Sequence, residues 1–212
     1  MITLVALVAL LPLLGALAVV LGAGARDAGA ATIIGGTGSF VAAIALAARI
    51  AGAGHFQALS GFVYVDALGA FFAITVSFVV MLASFGSAAY LRAEHDSGHL
   101  SDFQVRLYFV FFAIFASGML GSFFVGNLGL LWVLIEASTL ASAALVGLEA
   151  EARSLEAAWK YVIISSFGVT IALVATLFLF YSGSALHLTS NQRLTWPYLF
   201  AHAHSLAPLS MR

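Results

Sequence analysis

The charged positions of this chain fall far apart, and nearly every residue between them is apolar. Uncharged stretches occupy 1–25, 28–48, 67–91, 107–135 and 161–192. A helix that crosses a bilayer needs about 20 apolar residues. The first three stretches therefore predict one span each, over about 3–23, 30–50 and 66–90. From Leu107 to Leu148 only Glu136 is charged, and that length is about twice one span. The turn-prone pair Gly126-Asn127 divides it into helices over about 105–124 and 127–148. A sixth helix is expected from Ser154, read as its N-cap, to Tyr181, over about 154–181. Runs such as Phe109-Val110-Phe111-Phe112-Ala113-Ile114-Phe115 do not alternate, so helices are expected rather than a barrel. The expected fold is an all-α, polytopic membrane protein with six transmembrane helices.

Composition supports that reading. The 212 residues are 63% hydrophobic and 8% charged, against about 25% charged in ordinary soluble domains. That excludes a soluble enzyme, which needs charge to solvate its surface. A net charge of −1 leaves no basic footprint for nucleic acid. With no cysteine there is no disulfide, thiolate-held zinc, ordinary iron–sulfur ligation or Cys-x-x-Cys pair. No cofactor and no catalytic redox site are expected on this chain.

The first segment lacks a basic leader region and exceeds the 7–15 apolar residues usual in a secretory signal, so it reads as the first span. Arg26, Arg92, Arg106 and Arg153 fall at one set of helix ends, and Arg49, Arg193 and Arg212 at the other. Basic residues favour the cytoplasm. The expectation is an inner (plasma) membrane protein with its N-terminus outside and the 91–104 and 149–153 loops cytoplasmic. Residues 183–212 turn polar, with Trp196, Tyr198 and Phe200 suited to the headgroup layer.

Two charges lie inside predicted helices. Glu136 sits near the middle of the fifth, where a charge costs about 2.5–3.5 kcal/mol on insertion scales. Ser138, Thr139 and Ser142 make its surroundings partly polar, so it is expected to face protein or a wet cavity. It is either a proton-linked carboxylate or a protonated group that hydrogen-bonds between helices and holds the bundle together. Lys160 stands about two turns into the sixth helix. It either pairs with Glu156 four residues earlier and snorkels to the interface, or turns inward past Trp159. Measured from the connecting loop, Glu136 is about 19 Å deep and the Lys160 backbone about 8 Å. Contact between them would need the extended lysine, and water.

Other polar residues read more simply. Asp66 caps the third helix, and Asp102 and Arg106 form an interfacial pair. His95 and His99 stand in a solvated loop broken by Ser97-Gly98, and His202-x-His204 forms an interfacial pair able to feed protons. Ser117/Gly121 and Ala137/Ala141 permit close helix contact.

The segment Leu131-Trp132-Val133-Leu134-Ile135-Glu136-Ala137-Ser138-Thr139-Leu140-Ala141-Ser142-Ala143 resembles the fifth-helix glutamate motif of the antiporter-like membrane subunits. These occur in respiratory complex I, multisubunit Na+/H+ antiporters and membrane-bound hydrogenases. Glu156-Ala157-Ala158-Trp159-Lys160-Tyr161-Val162-Ile163 is similar to their sixth-helix lysine motif. Val65-Asp66-Ala67-Leu68-Gly69-Ala70-Phe71-Phe72 is similar to the start of their third helix. The nearest type is the F component of hydrogenase-4 and formate hydrogenlyase.

The resemblance implies a fold of about fourteen helices with two inverted five-helix repeats, of which these residues match the N-terminal part. Residues 1–104 would be three peripheral helices, 105–182 the first part of the proton-channel repeat, and 183–212 an interfacial tail. Glu136 and Lys160 would be the proton-translocation residues, acting with a further lysine on a broken seventh helix that has no match here. Ser138, Thr139, Ser142, Ser165 and Ser166 would offer a polar path. Asp66 and Glu156 would serve as cap or ion-pair partner.

The function implied is a proton-translocating subunit, or part of one, in a hydrogenase- or NADH-dehydrogenase-like oxidoreductase complex. Its partners would be other membrane subunits, peripheral redox subunits acting indirectly, and the lipid bilayer. Two alternatives stand beside it: a non-conducting structural subunit or truncated remnant, and an antiporter-type module that moves Na+ or supports inorganic carbon uptake.

Overall fold

A computed structural model of the chain describes residues 1–148, 151–183 and 189–204. It is a multi-pass membrane protein. Six helices are long and apolar enough to cross a bilayer: α1 (Ile2–Val20), α2 (Ala25–Ala53), α3 (Ala67–Asp96), α4 (Asp102–Ser122), α5 (Leu128–Val146) and α6 (Ala152–Ser182). The short helix α7 (Trp196–Ala201) follows. Between α2 and α3 lies an antiparallel hairpin, β1 (His55–Ala58) and β2 (Val63–Asp66), which the apolar runs do not predict. Several helices also extend past the predicted spans: α3 runs to Asp96 because its polar last turn continues the helix into the interface.

Short side chains at the helix starts fix where each begins. Asp66 Oδ1 accepts from the Gly69 N–H at 2.8 Å and caps α3. Ser101 and Gln104 form a capping box at the start of α4, which satisfies two backbone groups at once. The Gln104 amide also donates to the Leu148 carbonyl at 3.0 Å, joining the start of α4 to the end of α5. Asn127 caps α5 through the Leu130 N–H at 3.0 Å. The cap of α6 differs from expectation. Its N-cap is Glu151, and the Ser154 hydroxyl donates to the Glu151 carbonyl at 3.0 Å inside the first turn.

The first three helices pack through small residues. Along α2, Ala28, Gly29, Thr32, Gly35, Gly36, Ser39, Ala42 and Ala43 are buried, and backbones lined with small residues can approach closely without a hydrophobic driving force. A methyl group at Gly35 would lie 2.3 Å from the Leu11 carbonyl oxygen, and one at Gly36 would lie 2.6 Å from Ser84 Oγ.

α1 bends where Pro12 inserts a 3-10 turn at Leu11–Leu13. Proline has no N–H, so the carbonyl four residues earlier loses its helical donor. That carbonyl belongs to Val8, and the buried Ser39 hydroxyl of α2 donates to it at 2.6 Å. One side chain thus repairs the hydrogen bond that the proline removes. Ser39→Ala is expected to lower stability by about 1–3 kcal/mol, the cost of an unmet buried acceptor. Thermal denaturation in detergent reads the loss.

The hairpin builds a cap at one membrane face. Its turn holds Leu59 (φ 51°) and Ser60 (φ 55°) in the left-handed region. The Tyr64 N–H donates to Phe124 O and the Gly126 N–H to Phe62 O, each at 2.9 Å. The α4–α5 turn thereby pairs along β2. Next to it the Trp196 N–H donates to Gly126 O at 2.7 Å, and Thr195 is fully buried. The described part of the tail is therefore docked by main-chain bonds, with Trp196 and Phe200 still exposed. Residues 205–212, including Arg212, lie outside the described residues.

Three apolar clusters form the core among the described residues, the smallest being Val80, Phe112 and Ala116. Val8, Leu46, Ile50, Val65, Leu120 and Phe124 lie under the hairpin cap. Ala28, Leu91, Leu100, Val105 and Phe109 lie at the opposite face. The order of packing places α5 between α4 and α6, and α6 has no buried residue.

Candidate functional site at the α5–α6 interface

α5 has 19 residues, about 28 Å of helix, close to the roughly 30 Å hydrocarbon thickness. Glu136 stands about 12 Å from its start and about 15 Å from its end. The carboxylate is half-buried and faces α6. Its Oε1 accepts from Ser166 Oγ at 2.9 Å. Its Oε2 is buried and has no partner among the described residues. A buried acceptor left unpaired in hydrocarbon costs several kcal/mol. The site therefore holds the geometry of a carboxyl group with one oxygen engaged and one open.

Three contacts set the register of α5 against α6. Trp132 Nε1 donates to Val169 O at 2.7 Å. Glu136 meets Ser166, and the Ser142 and Tyr161 hydroxyls lie 3.2 Å apart. Moving along α5 from Trp132 to Ser142 moves backwards along α6 from Val169 to Tyr161, as an antiparallel pair requires. The Ser142 hydrogen already goes to Thr139 O at 2.8 Å. The longer contact, in which Ser142 Oγ is also the donor toward Tyr161 Oη, shares that hydrogen.

Lys160 does not reach Glu136. Its ammonium pairs with Glu156 one turn earlier and lies 6.0 Å from the Trp159 ring centroid. Both charged side chains are more than half exposed. The register gives the reason. Lys160 precedes Tyr161, which is level with Ser142, and Ser142 is six residues or about 9 Å of helix from Glu136. α6 has 31 residues, about 46 Å of helix, so it overhangs the hydrocarbon at its ends. Lys160 then lies near the rim, where a long cationic side chain reaches the headgroups.

The proposed polar path is brought together only in part. Ser166 contacts Glu136, and Ser142 contacts Tyr161. Ser138 approaches Phe115 O of α4 at 3.4 Å, a long contact. Thr139 donates to Ile135 O at 2.9 Å, and Ser165 donates within α6 to Tyr161 O and Val162 O. These last two hydroxyls are occupied by their own helices. Trp132 and Tyr161, which contribute polar atoms to the interface, were not among the expected residues. An aromatic ring in an apolar helix reads as lipid-facing unless a partner for its polar atom is known.

The charges at the opposite face also pair differently from expectation. Asp102 meets His95 Nε2 at 2.9 Å rather than Arg106, among the described residues. This contact joins the end of α3 to the start of α4. His99 Nδ1 turns instead to Glu94 at 3.1 Å. His202 Nδ1 lies 2.8 Å from its own helix's Tyr198 O. No group of three or more metal-ligating residues occurs among the described residues.

No family model matches the chain. It is 34% identical over 143 residues to a protein described as "Hydrogenase-4 component F homolog" from Methylacidiphilum infernorum (isolate V4). The match takes in 67% of this chain and 30% of that protein, so the chain spans under a third of the length of the curated relative it matches.

Proposed function

We propose that the chain belongs to the antiporter-like membrane subunits and forms the proton-translocating subunit, or the N-terminal part of one, of a hydrogenase-like oxidoreductase complex. The observation that carries this reading is the mid-membrane Glu136 carboxylate with Oε1 on Ser166 and Oε2 open. An ionisable group at that depth is costly and marks a proton or ion pathway by default. The matched relative is named for a hydrogenase component, which is where the complex enters the proposal. Electron transfer is assigned to other chains, with peripheral redox subunits acting through neighbouring membrane subunits. An inner-membrane site with the N-terminus outside follows from the arginine distribution.

In this reading Glu136 takes up and releases a proton, and Ser166 orients it. Lys160 acts at a distance rather than by contact. Lys160 lies farther than about 9 Å from Glu136, and a unit charge at about 9 Å changes the energy of a charge there by roughly 1.8 kcal/mol at an effective dielectric of 20, which is the upper bound before screening. Its pairing with Glu156 cancels much of that. Opening the Lys160–Glu156 pair would restore it, and a partner subunit's motion could drive the opening.

Reconstituted with its complex, Glu136→Gln is expected to bring proton translocation to background, and Lys160→Met to reduce it, with assembly intact in both. Full pumping by both variants would sink the proposal. The pairing of Lys160 with Glu156 favours a second reading, a structural subunit that does not conduct, and the same experiment separates the two.

A further inference from the structure

α6 has no buried residue, so apolar packing holds it only weakly against α5, and polar contacts between the two helices carry more of the task. Their strengths differ. Ser142 and Tyr161 stand 3.2 Å apart and share a hydrogen already given to Thr139 O. Ser166 meets Glu136 Oε1 at 2.9 Å, through a hydroxyl that is free to rotate. The third contact runs from a side chain to the main chain: Trp132 Nε1 donates to Val169 O at 2.7 Å. A helix carbonyl turns with no rotamer, so this bond fixes the backbone of α6 itself. Val169 O has a second lone pair for it beside its bond within the helix. An indole N–H left without an acceptor in an apolar setting is costly, which keeps the bond closed.

Spacing links this bond to the carboxyl group. Trp132 and Glu136 are four residues apart and share one face of α5, while Val169 and Ser166 are three apart on one face of α6. The two bonds are therefore adjacent rungs, about 6 Å apart along α5 and about 4.5 Å along α6. Turning α6 by one residue, about 100°, carries Ser166 off the face that meets Glu136. The bond from Trp132 opposes that turn. We propose that Trp132 is a positioning residue for the Glu136 carboxyl group: its N–H on Val169 O holds α6 where the Ser166 hydroxyl reaches Oε1 and Oε2 stays open. Without that restraint the Ser166 hydroxyl turns to a carbonyl of its own helix, as the Ser165 and Thr170 hydroxyls do. The consequence for transport rests on Glu136 being the proton carrier, whereas the positioning does not.

The test is infrared spectroscopy of the full chain in nanodiscs, read at the carboxyl band that Glu136→Gln removes. Ser166→Ala is expected to shift that band, because Oε1 loses its donor. Trp132→Phe keeps an aromatic ring without the N–H, and should shift the band by the same amount in the same direction. Trp196→Phe, at the hairpin cap, should leave it in place. A folded Trp132→Phe chain with the wild-type band overturns the proposal and leaves Trp132 a packing residue only. A band unmoved by Ser166→Ala, or moved equally by Trp196→Phe, overturns it too. The wild type supplies a second reading that requires no variant to fold. Of the three indole N–H groups, that of Trp132 should exchange with solvent about tenfold or more slowly than those of Trp159 and Trp196, whose side chains are exposed. Equal exchange at all three overturns the proposal. Neither readout depends on translocation, so a failure of positioning and a failure of the transport reading are told apart.

Discussion

Gly35→Leu is expected to destabilise the chain by about 3 kcal/mol, and to reduce the folded protein recovered from membranes severely. A Cβ at position 35 would stand 2.3 Å from Leu11 O, 3.1 Å from Leu11 C and 3.3 Å from the Pro12 Cα. All three are backbone atoms, so no rotamer change relieves the contact. α1 would have to move off α2, and the Ser39–Val8 hydrogen bond at the bend would be lost with it. Against a total stability of about 5–15 kcal/mol for a typical domain, that is a large fraction. Gly52→Leu is the control, because nothing lies within 4 Å of the Cβ position there. Equal melting temperatures for the two variants would show that the α1–α2 contact is looser than described.

The second large effect concerns Glu136 and reads out stability beside transport. Glu136→Leu removes both the engaged oxygen and the open one. The Ser166 hydroxyl can then turn to its own helix, as Thr170 does to the Ser166 carbonyl at 2.7 Å. If Glu136 serves proton movement, Glu136→Leu should abolish translocation while leaving the melting temperature unchanged or raised. Removing a buried unpaired oxygen offsets the loss of one hydrogen bond of about 1 kcal/mol. A glutamate that held the bundle together would give the opposite pattern, a clear loss of stability with transport limited only by the amount folded. Measuring both quantities on one preparation decides between the roles.

The helices were legible in the sequence because hydrocarbon admits so few charges. Each uncharged run of sufficient length became a span, and Gly126-Asn127 divided the long one where Asn127 now caps α5. The hairpin was not legible. Residues 55–66 are too few for a convincing alternating pattern, and their stability comes from pairing with Val125 and Gly126, about 60 residues away. The docking of the tail at Gly126 was hidden for the same reason, since main-chain bonds leave no mark on residue identity.

At the site, Glu136 stood out because it is alone in an apolar run. The partner of Lys160 was left open by sequence, since Glu156 is four residues away on its own helix and Glu136 is across a loop of unknown register. Register decided it. The three α5–α6 contacts that fix it depend on Trp132, Ser142 and Tyr161, whose polar atoms carry no sign of which neighbour they meet. Asp102 was misread for a related reason. Its i,i+4 neighbour Arg106 was visible in the sequence, whereas His95 is brought near only by the turn between α3 and α4.

The hairpin cap has a consequence for the order of events during synthesis. β1 and β2 emerge early, after two helices, but the strand-like turn they pair with follows α4, and the segment bonded to that turn follows α6. Until then the outer edge of the turn has backbone groups with no protein partner. The cap therefore closes only after all six spans have crossed. A nascent chain halted before Trp196 should leave the Gly126 carbonyl without this donor, and release of the halt should bring the Trp196 amide into protection from exchange.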